Sequence, residues 1–129
     1  MSVQLALRNI RKSFSNKLGS VDVLGGLTFD IHERDFVSII GPSGCGKTTV
    51  FNVIAGLLQA DSGEIVYRGQ AVDGLRGKVG YMMQRDLLLP WRTVLQNVLI
   101  GPELSGMPAA EAHEMAMEYL NTYGLDRKS

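Results

Sequence analysis

Apolar and polar residues alternate at the beginning of the chain. Val3, Leu5 and Leu7 fall on one side of an extended segment, and polar or small residues stand between them. This period of two residues predicts a half-buried strand, which continues less regularly to Ile10 and Phe14.

Further strands are predicted where short apolar runs lie between turn residues. The glycine pair at 25–26 divides the first of these regions, so two short strands are expected there instead of one. A run of four apolar residues around Ser38, at residues 36–40, predicts a buried strand. The predicted strands cover residues 21–24, 27–31, 36–40, 64–67 and 78–83.

Three segments have the periodicity of amphipathic helices. The first begins at Lys47 and stops near Gly56, and the second begins after the capping residue Thr93 and ends at residues 101–102. The third begins near Pro108 and stops at Gly124. Its apolar stripe is predicted to contain Ala112, Met115, Ala116, Tyr119, Leu120 and Tyr123.

Composition and charge restrict the class of protein. With 129 residues the chain has room for one hydrophobic core. Thirteen basic and thirteen acidic residues cancel, so the chain lacks the basic excess with which proteins bind nucleic acids. Cys45 is the only cysteine and the N-terminus is too charged to contain the apolar core of a signal peptide, which favours a cytoplasmic location. No run reaches the ~20 apolar residues of a membrane span.

Residues 41–48 contain the pattern G-x-x-x-x-G-K-T between a predicted strand and a predicted helix. Gly41, Gly44 and Gly46 allow the backbone amides to turn inward around a phosphate. Lys47 is expected to reach the β- and γ-phosphates, and the Thr48 hydroxyl is expected to ligate Mg²⁺. This segment therefore predicts a site for a nucleoside triphosphate.

The chain resembles the ATP-binding subunits of ABC transporters over nearly its whole length. The form GPSGCGKTT at residues 41–49 is typical of that family's phosphate loop. The resemblance implies a P-loop NTPase-like α/β core with an N-terminal antiparallel β subdomain and the beginning of a helical subdomain, in truncated form. It places a β-rich core at residues 1–83, and the glutamine loop with the start of the helical subdomain at 84–129.

The resemblance also implies the residues that bind MgATP. Phe14 corresponds to the aromatic residue that stacks on adenine, and Gln84 to the residue that reaches Mg²⁺ and the attacking water. Lys47 and Gln84 are the implied catalytic residues, and Thr48 and Gln84 the implied metal ligands. The implied nucleotide-binding residues are Phe14, Gly41, Ser43, Gly44, Cys45, Gly46, Lys47, Thr48 and Thr49.

The segment from Leu87 to Thr93 contains a leucine run followed by Pro90 and Trp91. It is similar to ATP-binding subunits of importers for nitrate, taurine and alkanesulfonates. An apolar surface patch of this kind usually marks an interface. The resemblance therefore implies contact with a transmembrane permease subunit, a second ATP-binding subunit in the full-length protein, and a position on the inner face of the cell membrane.

Several motifs of a complete ATPase of this family do not occur after Gln84. These are the signature L-S-G-G-Q, the apolar strand ending in Asp-Glu, and the switch histidine; the nearest match to the signature, at residues 104–108, has Met107-Pro108 in place of Gly-Gln. The chain alone is therefore expected to be unable to hydrolyse ATP at the rate of a complete transporter.

Two alternatives to an importer ATPase stay open from the sequence. One is a truncated nucleotide-binding fragment without hydrolytic activity, and the other is a soluble ABC ATPase that is not linked to transport. The Leu-Leu-Pro-Trp segment and the neutral charge balance disfavour the second.

Overall fold

The computed structural model describes residues 2–42, 44 and 46–126. The chain divides into two compact units, Met1–Tyr81 and Met82–Ser129. No helix in the described ranges is long and apolar enough to cross a membrane.

The first unit is built on a four-stranded antiparallel sheet. Strands β1 (Val3–Asn16) and β2 (Gly19–His32) form a long hairpin, and β3 (Ser62–Tyr67) and β4 (Gln70–Val72) form a short one. The order across the sheet is β2-β1-β3-β4, so β1 pairs with both β2 and β3. Helix α1 (Lys47–Ala55) lies between the two hairpins in sequence.

The core of this unit lies between the sheet and α1. Leu7 and Ile10 of β1 and Val53 of α1 are almost completely buried, together with Leu75. Each such side chain contributes about 1.5–3 kcal/mol through removal of apolar surface from water. The alternation predicted for the first strand is only partly confirmed: Leu5 and Leu7 are buried, but Val3 is exposed and Ala6 between the two leucines is buried as well.

The two strands predicted for residues 21–24 and 27–31 are one continuous strand. Gly26 does not end β2; it takes φ +105° and produces one of the register shifts between β1 and β2. A Cβ at this position would lie 2.7 Å from the Asn9 side-chain oxygen. The glycine pair therefore bends the strand locally while the hairpin continues. The short strand β4 was not predicted.

The strands predicted for residues 36–40 and 78–83 are wrong. Both segments are irregular, and Phe36, Ile40 and Met82 are more than 90% exposed. A strand is held by backbone hydrogen bonds to a neighbour, and among the described residues no strand pairs with either segment. Both segments are rich in apolar residues, but apolar composition alone does not supply the neighbouring strand with which a strand must pair.

The second unit consists of three helices: α2 (Val94–Val98), α3 (Ile100–Leu104) and α4 (Ala109–Thr122). The predicted end of a helix at residues 101–102 is wrong, because both residues lie in the first turn of α3. Proline is tolerated there, since first-turn N–H groups have no partner within the helix. The stripe predicted for α4 is only partly confirmed: Tyr119 and Tyr123 are exposed, and the buried face is Ala112, Ala116 and Leu120.

Candidate functional site

The loop before α1 depends on glycine for its conformation. Gly44 and Gly46 have φ angles of +79° and +96°, and Gly46 is the N-cap of α1. A Cβ on Gly46 would lie 2.9 Å from Cγ1 of Val23 and 3.2 Å from Cδ2 of Leu24. The loop therefore packs directly against β2, and only glycine fits at the point of contact.

The Lys47 side chain turns back over the loop. Its Nζ donates hydrogen bonds to the carbonyl oxygens of Gly41 and Pro42, the latter at 2.8 Å. The side chain is half-buried, while Thr48 in the same helical turn is exposed and Thr49 is half-buried. The ammonium group is thus held by carbonyl oxygens of the loop, and a phosphate bound in the loop can replace them as its hydrogen-bond acceptor. Ser43 and Cys45 lie outside the described residues.

The N-terminus of α1 has no side-chain cap within the described part of the chain. The first N–H groups of a helix lack intrahelical partners and carry a partial positive charge. Together with the Lys47 ammonium and the glycine loop, they form a cradle whose donors are suited to a phosphate group. The exposed Thr48 hydroxyl is a hard oxygen ligand of the kind Mg²⁺ prefers.

Phe14 lies near this loop on the other strand of the long hairpin. Leu24, against which the loop packs, pairs with Lys12 on β1. Phe14 is two residues further along β1, or about 7 Å away along the strand. Its ring is 44% exposed and pairs across the hairpin with Val21. The long hairpin thus carries an accessible aromatic ring on β1 and, on β2, the residues that the glycine loop contacts.

Sequence reasoning missed the acidic residue that supports this part of β1. Asp61 accepts hydrogen bonds from the Ser13 backbone N–H (2.7 Å), the Ser13 hydroxyl (3.1 Å) and the Lys12 ammonium (3.1 Å). The Ser13 amide first, and then the Lys12 ammonium, hold the pKa of Asp61 below its usual value. The sequence shows Asp61 only as a turn residue, and no local pattern indicates a partner 48 residues away.

Gln84 belongs to the second unit, whereas the loop with Thr48 belongs to the first. Its side chain is exposed. A shared role of Thr48 and Gln84 at one magnesium ion therefore stays a prediction. Within the described ranges, no group of three or more His, Cys, Asp or Glu residues is arranged to hold a metal ion.

The second unit exposes an apolar surface around the turn at residues 89–92. Leu87 and Leu88 are each 66% exposed and Trp91 is 75% exposed. A neighbouring groove of about 620 Å³ is lined mainly by apolar side chains, among them Leu88, Pro90, Val94, Val98, Leu120 and Leu125. These three side chains are therefore not part of the core of the second unit.

Asn97 of α2 fixes this turn through its side chain, a role that the sequence did not reveal. Its Oδ1 accepts from the Leu89 N–H at 2.8 Å, and its Nδ2 donates to the carbonyl oxygens of Leu89, Arg92 and Thr93. Thr93 and Gln96 add a reciprocal capping box at the start of α2. The turn that carries Trp91 is thereby tied to the helix that follows it.

Comparison with known proteins gives a consistent result. The protein family described as ABC transporter matches residues 24–129. An uncharacterized ABC transporter ATP-binding protein of Methanocaldococcus jannaschii is 38% identical over 126 residues, which is 98% of this chain and 47% of the relative. The taurine import ATP-binding protein TauB of Rhizobium johnstonii is 42% identical over 107 residues, which is 83% of this chain and 41% of TauB.

Solved structures show the same likeness in three dimensions. An ATP-binding cassette solved as a dimer in a post-hydrolysis state with ADP and Pi superposes with a TM-score of 0.81 at 28% identity, over 91% of this chain and 56% of the cassette. A nucleotide-free cassette from an ABC transporter gives a TM-score of 0.75 at 27% identity, over 98% of this chain and 56% of the other. The chain spans about half the length of the curated relatives it matches.

Proposed function

Because this chain belongs to the ABC transporter family of ATP-binding proteins, we propose that it binds MgATP as part of the motor subunit of an importer. The observation that carries the proposal is the loop at residues 41–48, where two left-handed glycines, an uncapped helix start and the Lys47 ammonium converge. These are the donors that an anionic triphosphate requires.

Each residue of the site has a distinct part in this proposal. Lys47 leaves the carbonyl oxygens of Gly41 and Pro42 for the β- and γ-phosphates, and its charge makes those contacts stronger than neutral hydrogen bonds. Backbone amides of the loop, including those of Ser43, Gly44, Cys45 and Gly46, and of Thr48 and Thr49 surround the phosphates. Thr48 and Gln84 hold Mg²⁺, which neutralises phosphate charge when bound.

Phe14 binds the base in this proposal. Its half-exposed ring offers an apolar face to adenine, a large and weakly charged π-system. The hairpin register supports the assignment, since Phe14 lies two residues along β1 from Lys12, the partner of the Leu24 that the phosphate loop contacts.

Coupling to transport is assigned to the second unit. A helix of a transmembrane permease subunit docks on the apolar surface around Leu87 to Thr93, and the exposed Trp91 and the adjacent groove support this choice of occupant. The cargo is a small anion such as taurine, nitrate or a sulfonate; the similarity to TauB supports this class. The subunit works with a second ATP-binding subunit at the inner face of the membrane.

The two parts of the chain divide this work. Residues 1–83 form the β-rich nucleotide core, and residues 84–129 form the glutamine loop and the start of the helical subdomain. The signature motif, the acid-ended strand and the switch histidine are absent from residues 1–129. ATP hydrolysis by the importer needs those groups, because positioning and electrostatics supply nearly all the catalysis in phosphoryl transfer.

The proposed binding is tested by calorimetry of the 129-residue chain with MgATP. Lys47→Ala should weaken binding by about 2–4 kcal/mol, because it removes a charge-assisted phosphate contact. Lys78→Ala is the matched control: this lysine lies 5.7 Å from the ring centroid of Tyr67 in the same unit, outside the loop. Equal affinity of the wild type and the Lys47 variant would contradict the proposal.

A second candidate function is nucleotide binding without hydrolysis, favoured by the absence of the three motifs from residues 1–129. Loss of a single donor of the oxyanion-hole type costs ~10²–10³ in rate, so the loss of several should leave activity near background. Phosphate release by this chain should then equal that of its Lys47→Ala variant. Release that requires both Mg²⁺ and Lys47 would instead show that another acid replaces the missing ones.

A further inference from the structure

Asp61 joins the end of one hairpin to the middle of the other. Its backbone N–H donates to the Arg11 carbonyl oxygen at 2.8 Å. Its carboxylate accepts the Ser13 backbone N–H at 2.7 Å and the Ser13 hydroxyl at 3.1 Å. One residue thus bonds to β1 on both sides of Lys12.

These bonds occur where β1 loses its regular neighbour. The pairing of β1 with β3 ends at Arg11 and Ser62. The pairing of β1 with β2 shifts register between Lys12 and Ser13. A backbone N–H at an unpaired strand edge is free to move or to bond to water. At Ser13 the Asp61 carboxylate accepts this N–H in place of a further residue of β3.

The same carboxylate holds a cation beside the Phe14 ring. Lys12 Nζ lies 3.1 Å from Oδ1 of Asp61 and 5.5 Å from the centroid of Phe14. The Lys12 side chain is 16% exposed, so it is packed along the sheet and does not extend into water. Asp61 therefore fixes the backbone one residue before Phe14 and also the charge that contacts its ring.

We propose that Asp61 is a positioning residue for Phe14, and that it increases the affinity of the site for adenine nucleotides relative to phosphate chains without a base. This inference rests on the proposed nucleotide function. Holding β1 in place before the ligand arrives removes an ordering cost from base stacking. The phosphate loop has its own supports on β2 and α1, so bare phosphates should not depend on Asp61.

The test compares two ligands on the 129-residue chain, MgATP and magnesium tripolyphosphate. Asp61→Ala should weaken MgATP about 3- to 10-fold, the range expected for loss of one well-placed aromatic contact. Tripolyphosphate should change by less than about 2-fold. Phe14→Ala should reproduce this pattern, and the double variant should add little to either single variant, because both act on one contact.

Two further variants keep the comparison interpretable. Asp61→Asn retains an acceptor for the Ser13 amide but loses the charge that holds Lys12, so its effect should be smaller than that of Asp61→Ala and it should fold if the alanine variant does not. Asp30→Ala removes another exposed carboxylate paired with β1, at Arg8, remote from Phe14, and should leave both ligands unchanged.

The outcomes separate this inference from the proposed function. Hydrogen exchange at the Ser13 amide should be faster in Asp61→Ala than in the wild type. Equal weakening of both ligands, or no weakening of either, would overturn the positioning role. If Lys47→Ala also left both ligands unaffected, the proposed nucleotide site itself would be wrong.

Discussion

At the scale of single residues, the phosphate loop was predictable, whereas the contact that supports β1 next to Phe14 was not. The glycines and Lys47 lie within one eight-residue pattern, and the left-handed φ angles at Gly44 and Gly46 agree with what that pattern demands. The bond between Asp61 and Ser13 joins residues 48 positions apart, and no local signal encodes it. Periodicity and motif spacing report neighbours in sequence, whereas this contact is created by the sheet register.

Gly44 and Gly46 of the loop give a matched pair of substitutions. Gly44→Ala should cost about 1–2 kcal/mol of the free energy of unfolding, the penalty of a left-handed alanine in open space. Gly46→Ala should cost more, because its Cβ would also lie 2.9 Å from the Val23 side chain. Urea denaturation followed by far-UV circular dichroism measures both. Equal losses would mean that the loop does not pack against β2.

At the scale of elements, helices were predicted better than strands. A helix carries its own hydrogen bonds and stop signals, and α1 ends at Gly56 with φ +79°, as its sequence predicts. A strand needs a neighbour, so residues 36–40 and 78–83 are apolar yet irregular within the described chain. The sequence predicted Thr93 as the capping residue of α2 but not its reciprocal partner Gln96. It also gave no sign of the bonds from Asn97 to the preceding turn.

Asn97→Ala tests how the Trp91 turn is held. The substitution removes the acceptor of the Leu89 N–H and the amide group whose two hydrogens are shared among the carbonyl oxygens of Leu89, Arg92 and Thr93. A lost bond to the half-buried backbone of this turn costs about 1 kcal/mol. Trp91 is the only tryptophan, so the fluorescence anisotropy of the protein reports directly on this turn and should fall. Asn121→Ala, an exposed asparagine on α4, is the control. Unchanged anisotropy in the Asn97 variant would show that the turn is held by other contacts.

At the scale of the whole molecule, the long hairpin of β1 and β2 carries both Phe14 and the residues that contact the phosphate loop. β2 carries the residues that receive the loop at Gly46, and β1 carries Phe14 two positions beyond the pair of Lys12 with Leu24. The sequence predicted separate short strands at 21–24 and 27–31, so this juxtaposition could not be derived from it. The continuous β2, with its irregularity at Gly26, pairs with β1 at Phe14 and also carries Val23 and Leu24, which the phosphate loop contacts.

The most direct test of nucleotide binding is an NMR titration of the isotope-labelled 129-residue chain with MgATP. The largest shifts are expected at the backbone amides of Gly44, Gly46, Lys47 and Thr48 and at the ring protons of Phe14, and Lys47→Ala should abolish them. Magnesium tripolyphosphate should shift the loop amides but not the Phe14 ring. Shifts confined to other surfaces, or none at saturating MgATP, would contradict the assignment of residues 41–48 as the nucleotide site.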